Sequence, residues 1–193
     1  METELNGWNV DAMNAAIETV RQQPKAGRLS WRSRVVWDGG FGLDVHTETI
    51  EQLGQVMRRR FTLRGDHPPE LLGQNTGPTA IETVMAALGS CMAGAFAAQA
   101  TARGVEIRSL EVEVEADIDL NGFFGLQAIP PGLSNVALSF HVESSADPDT
   151  EQEILDAACS VSPVFDTVTR PVAVETRLIR AGATTDSAAN VRG

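Results

Sequence analysis

Two cysteines in 193 residues, Cys91 and Cys159, are too few and too far apart for a disulfide framework. In a chain without an export signal, such a pair is more often free or redox-active than structural. Histidine is scarce too. His46, His67 and His141 fall on an expected strand, a loop and the wet face of a strand, so a cysteine hydrolase finds no well-placed base. No Cys/His pair has the spacing of zinc ligands, which leaves zinc binding weaker still. Basic residues number 15 against 26 acidic ones, a formal net charge of −11. Nucleic acid and anionic membrane surfaces both select a concentrated basic patch, and the cluster Arg58, Arg59, Arg60 and Arg64 is short and sits among acidic neighbours. Met1 to Asn9 is polar and acidic with no hydrophobic stretch, so no secretory signal is expected and the expected compartment is the cytoplasm.

Strongly apolar runs are also missing, with one ambiguous segment. Thr83 to Ala102 carries no charge over a length that could span a bilayer. Most of it is Ala, Gly, Ser, Thr and Gln, which contribute little to insertion, so the expectation is a long Ala/Gly-rich helix buried in protein.

What is present is enough apolar residue, 42% of the chain, to build a core. Val10, Met13, Ile17 and Val20 recur at helical spacing before Pro24, which predicts an N-terminal helical extension over residues 1–27. Leu29 to Trp37 alternates, with Leu29, Trp31, Val35 and Trp37 on one face and arginines on the other. Asp38-Gly39-Gly40 predicts a hairpin turn, followed by a return strand with Phe41, Leu43 and Val45 inward and a third strand through Phe61 and Leu63. A Pro- and Gly-rich loop, His67 to Gly77, leads into the long helix, and Gly104 marks its end. Leu110, Val112, Val114, Ala116 and Ile118 alternate with Glu111, Glu113, Glu115, Asp117 and Asp119, predicting a half-buried strand with a solvated acidic face. Val136 to Val142 supplies its partner. Asp147-Pro148 opens a second helix to about Val161, Pro163 interrupts it, and Val172 to Ile179 reads as a closing strand before a flexible tail at 181–193. This order predicts an α+β domain over 28–180 rather than a wound parallel sheet.

The most specific segment runs Gly77-Pro78-Thr79-Ala80-Ile81-Glu82 and on through an Ala-rich turn to Gly89-Ser90-Cys91. It resembles the signature of the OsmC/Ohr family, the osmotically induced and organic hydroperoxide resistance proteins. The similarity continues through Val105 to Asp119, Ser162-Pro163-Val164 and Pro171 to Leu178, and looks most like the broad OsmC-like branch. The resemblance implies an intertwined homodimer with antiparallel sheets around the long helix. It also implies a thiol peroxidase that reduces organic hydroperoxides through Cys91 and is regenerated by a thiol or lipoyl-type reductant, with no metal, haem or flavin. In the family an arginine held by the helix-opening glutamate activates the cysteine. That glutamate maps to Glu82, and the arginine maps best to Arg64, with Arg60 behind it; Phe41 stands where the hydroperoxide-resistance branch has its arginine. Ser162 stands where the family has its resolving cysteine, and Cys159, one turn earlier, is the available substitute.

Each of these residues has a plainer reading. Cys91 could be a small core residue and Arg64 an exposed strand arginine. Thr79-x-x-Glu82 fits a capping box, and Cys159 beside Ala158 fits a buried helix position. Reactivity requires thiolate, hence a nearby cation or donors. Cys91 lies twelve residues past Thr79, roughly 18 Å along the helix axis, beyond reach of the helix N-terminus. Glu82 and Cys91, nine residues apart at roughly 100° per residue, point to opposite sides of a straight helix. Glu82 could therefore serve a partner subunit's Cys91, if two such helices pack across a two-fold axis through Gly89, Ser90, Ala93, Gly94 and Ala97. Against the peroxidase stands a second hypothesis, a non-catalytic OsmC-like dimer binding an apolar small molecule in the cleft near Cys91.

Overall fold

A computed structural model describes residues 4–180, and the alternating segments of the sequence become its strands. A short hairpin of β1 (Glu4–Leu5) and β2 (Trp8–Asn9) leads directly into α1 (Val10–Gln22), whose N-cap Asn9 accepts a hydrogen bond from the backbone N–H of Ala12 at 2.8 Å. A 3-10 turn at Pro24–Gly27 then delivers the chain to β3 (Leu29–Gly39) and β4 (Gly42–Gln52), which pair antiparallel. Both β5 (Gln55–Arg58) and β6 (Thr62–Gly65) also pair with β4. The sequence pattern did not single out β1, β2 or β5.

The register gathers one apolar face. Trp31 stands opposite Ile50, Val35 opposite Val45, Trp37 opposite Leu43, and Leu63 opposite Val45 on the far side. A shift between Arg32 and Ser33 leaves Glu48 as an extra residue on β4, which keeps Ile50 on the same face as Val45. On β3 this face is open within one chain, with Trp31 69% and Trp37 68% exposed, while Phe41, Leu43 and Val45, expected inward, are half-buried.

After the 3-10 turn Pro69–Leu71 comes α2 (Ala80–Ala102). It starts at a complete capping box: the Thr79 side chain accepts from the Glu82 N–H at 3.1 Å, and Glu82 Oε2 accepts from the Thr79 N–H at 2.7 Å. It ends where Gly104 takes φ +72. There the Val105 N–H reaches the carbonyl of Ala100 and the Gly104 N–H that of Thr101, the paired bonds of a Schellman motif. The remaining elements are β7 (Ile107–Ile118), α3 (Leu120–Phe123), β8 (Leu133–Ser144), α4 (Pro148–Val161) and α5 (Pro163–Thr169), with β7 and β8 paired antiparallel.

The fold is α+β, with antiparallel sheets and one long helix. Its core lies along α2, where Leu88, Met92, Phe96 and Ala100 repeat every four residues and meet Val105, Ile154 and Ala158. The principal contacts of α2 are with β7, α4 and α5. The helix is thus buried along a stripe and not all round: Ala86, Ser90 and Gly94 remain exposed. Asn6 ties the N-terminal hairpin to the far end of α2. Its side chain donates to Thr101 Oγ1 at 3.0 Å and to the Val105 carbonyl at 2.9 Å, and accepts from the Ile107 N–H at 2.8 Å.

One expectation fails near the C-terminus. Val172 to Ile179 forms no ladder: residues 171–180 carry no regular element and are exposed throughout, Leu178 to 91%. Alternation prepares a strand face, but a strand also needs an edge to pair with, and this segment meets none among the described residues. The second helix ends at Val161 as expected, and Pro163 in addition opens α5. The expected tail at 181–193 lies outside the described residues.

Candidate functional site

Cys91 sits midway along α2, half-buried, on the side that faces α5. The turn between α4 and α5 brings Ser162 against it. Ser162 is the N-cap of α5, accepting from the Phe165 N–H at 3.4 Å, and is only 1% exposed. Its hydroxyl donates to Cys91 Sγ at 3.2 Å. A buried donor aimed at sulfur fixes where that sulfur sits and which of its lone pairs stays open. Sequence reasoning placed Ser162 only by resemblance and missed this bond. The signal was there in Ser162-Pro163, an N-cap residue followed by proline at the first helical position.

Cys159 occupies a different environment. It packs, half-buried, at the margin of the core on α4. Desolvation first, and the charge of Asp156 second, push its thiol up from the ordinary value. That makes it the poorer source of thiolate.

Arg64, on β6, does not lie on Glu82 within the chain. Its guanidinium meets Asp38 through two nitrogens, Nη1 at 2.6 Å and Nη2 at 3.2 Å, and reaches Asp44 at 3.3 Å and Thr76 Oγ1 at 3.2 Å. The bridge passes directly over Gly42, where a Cβ would lie 2.2 Å from Asp38 Oδ1 and 2.6 Å from Arg64 Nη2. A side chain at 42 would push the ion pair out of this position. Glu82 is engaged in its cap, whose bonds from Thr79 hold its carboxyl below the usual value, with the charge of His67 a smaller contribution.

Asp66 organises the loop that separates Arg64 from α2. It is 3% exposed and accepts four hydrogen bonds: from the N–H groups of His67, Gln74 and Thr76 and from the Thr76 hydroxyl. Opposite it, the His67 ring stacks on Phe41 at 4.0 Å, so hairpin tip and loop close on each other. The Thr76 hydroxyl bond first and the His67 N–H second pull the Asp66 carboxyl down to about 2, from 3.8. A carboxyl more acidic when folded stabilises the native state above its unfolded value and loses that contribution as pH falls through its folded value. Acid unfolding between pH 4 and pH 2 should therefore be shallower in Asp66→Asn, which is also expected to be less stable at pH 7. Circular dichroism melts across that pH series would check both.

Two groups of residues thus stand at different heights of α2: Arg64, Asp38, Asp44 and Glu82 around its N-terminus, and Cys91 with Ser162 at its middle. This is an α+β protein in which a half-buried thiol on the long helix meets a buried hydroxyl. The family model described as OsmC-like protein matches residues 73–177, and the chain belongs to that family. Solved structures of similar fold include an OsmC like protein from Mycoplasma pneumoniae, at 16% identity and TM-score 0.58 over 72% of this chain and 87% of that one. Another is a putative osmotic stress induced and detoxification response protein from Psychrobacter arcticus 273-4, at 17% identity and TM-score 0.54 over 69% and 85%. An organic hydroperoxide resistance protein from Elizabethkingia anophelis aligns at 15% identity and TM-score 0.50 over 73% and 88%. No curated protein sequence matches the chain.

Proposed function

We propose that the protein is a cytoplasmic, homodimeric thiol peroxidase that reduces organic hydroperoxides in defence against oxidative stress. The observation that carries this reading is the half-buried Cys91 with a sealed hydroxyl donor on its sulfur. The Cys91 thiolate attacks the terminal oxygen of the hydroperoxide; an S–O bond forms, the O–O bond breaks, and the departing alkoxide takes a proton to become the alcohol. Sulfur loses two electrons and is left as the sulfenic acid. A thiol or lipoyl-type reductant then attacks that sulfur, releases water, and a second thiol displaces the mixed disulfide to restore Cys91.

Three surfaces support the dimer: the uncovered face with Trp31, Val35 and Trp37, the small-residue side of α2 at Ala86, Ser90 and Gly94, and the unpaired segment with Val174 and Leu178. Across a two-fold axis, Glu82 and Arg64 of one chain would serve Cys91 of the other. The unbroken α2 supports that arrangement, since it keeps Glu82 half a turn and about 13.5 Å along the axis from its own Cys91. A dimer mixed from Cys91→Ser and Glu82→Gln chains then has one site with both groups intact and one with neither. It should consume an alkyl hydroperoxide, with a dithiol as reductant, at about half the wild-type rate. A mixed dimer as inactive as the Cys91→Ser homodimer would place Glu82 in service of its own chain.

Arg64 favours a second reading. Its pairing with Asp38 and Asp44 leaves its charge compensated, as suits a non-catalytic dimer that binds an apolar molecule near Cys91. Peroxide separates the two readings: in a binder Cys91 resists oxidation.

A further inference from the structure

We propose that Ser162 is the positioning residue that presents the Cys91 thiolate, and that the Cys91 sulfenic acid is resolved by a thiol from outside the chain. The proposal rests on the peroxidase reading for its chemistry and on the Ser162 geometry for its substance. Ser162 has one hydroxyl proton. Its oxygen accepts the Phe165 N–H, and its proton goes to Cys91 Sγ, in a place closed to solvent. The hydroxyl therefore has no water to turn to, and the bond is kept whenever sulfur can accept it. The same position carries no second sulfur. When Cys91 becomes the sulfenic acid, the group beside it is an alcohol, which cannot displace the hydroxyl to form a disulfide. An external thiol then attacks the Cys91 sulfur, forming the S–S bond and releasing water.

The elements packed against α2 carry other titratable groups. On α4 they are Cys159 and the exposed Asp156, and on α5 Asp166, which is bound to Arg170 at 2.6 Å. On β7 the glutamates Glu111, Glu113 and Glu115 are exposed, with Glu113 paired to His141 at 3.2 Å. With Cys159 replaced by alanine, Cys91 is the one thiol the reagent reads.

The experiment measures iodoacetamide alkylation of Cys91 against pH in a Cys159→Ala background. Ser162→Gly is the informative variant, because glycine still caps a helix acceptably but donates nothing from its side chain. Its alkylation rate at pH 7 should fall about tenfold with the profile displaced to higher pH, and Ser162→Thr should restore both. An unchanged profile in Ser162→Gly overturns the positioning role. The second arm is the mass of the Cys159-containing protein after one equivalent of an alkyl hydroperoxide without added thiol. Retention of one oxygen on Cys91 supports external resolution, and loss of two hydrogens by a Cys91–Cys159 disulfide overturns it. Should Cys91 take up no oxygen, the peroxidase reading and with it the external-thiol step fall, while the alkylation profiles still decide the role of Ser162.

Discussion

Replacing Cys91 with serine is expected to reduce hydroperoxide consumption to the level of a protein-free control while leaving the folded state intact. The two side chains differ by one atom, and the hydroxyl introduced by Cys91→Ser would still be able to meet the Ser162 hydroxyl, so packing along α2 is preserved. What is lost is the nucleophile: a serine hydroxyl is not ionised near neutral pH and does not attack peroxide oxygen. Cys159→Ser provides the contrast. Its thiol sits at the core margin with its ionisation opposed by burial and by Asp156, and most of the consumption should survive its removal when a dithiol is supplied. Initial rates with an alkyl hydroperoxide, together with melting curves, measure both effects. Equal losses in the two variants would move the chemistry away from Cys91.

The largest effect on stability is expected at Phe96. It is 1% exposed on the buried stripe of α2, and its ring meets Phe140 of β8 with centroids 5.8 Å apart. Truncation to alanine removes a ring from the place where α2, the β7–β8 sheet and α4 converge, and these elements cannot all close on the vacancy. Phe96→Ala should therefore cost about 3–5 kcal/mol, which for a domain of this kind approaches its whole stability. Denaturant unfolding gives the number. Phe41→Ala makes the comparison, since the Phe41 ring stacks on a loop histidine outside that core and its loss should cost far less.

The parts of this structure legible in the sequence are those decided within a few residues. The Thr79-x-x-Glu82 box, the glycine after Arg103 and the Asp147-Pro148 helix start are each satisfied by neighbours along the chain, so the pattern and the geometry coincide. The same holds for β7 and β8, where a solvated face and a core face impose a period of two. The side chains around the site were not legible because their partners are distant in sequence. Arg64 is claimed by Asp38 on the other side of the hairpin, and nothing in Phe61-Thr62-Leu63-Arg64 indicates it. Cys91 meets Ser162 only because the α4–α5 turn folds back on α2, although Ser162-Pro163 did announce a helix start. Trp31, Trp37 and Leu178 mark a third limit. Their alternation reports a face prepared for burial, and the described residues of the chain supply no cover.

The central claim, that Cys91 is the nucleophile for hydroperoxide, is tested most directly by peptide mass spectrometry after treating the wild-type protein with one equivalent of an alkyl hydroperoxide and trapping with dimedone. The account predicts the dimedone adduct on the peptide carrying Cys91, formed within seconds, with an equivalent amount of alcohol released and the Cys159 peptide unmodified. An unmodified Cys91 peptide beside intact hydroperoxide, or an adduct on Cys159 alone, would contradict it.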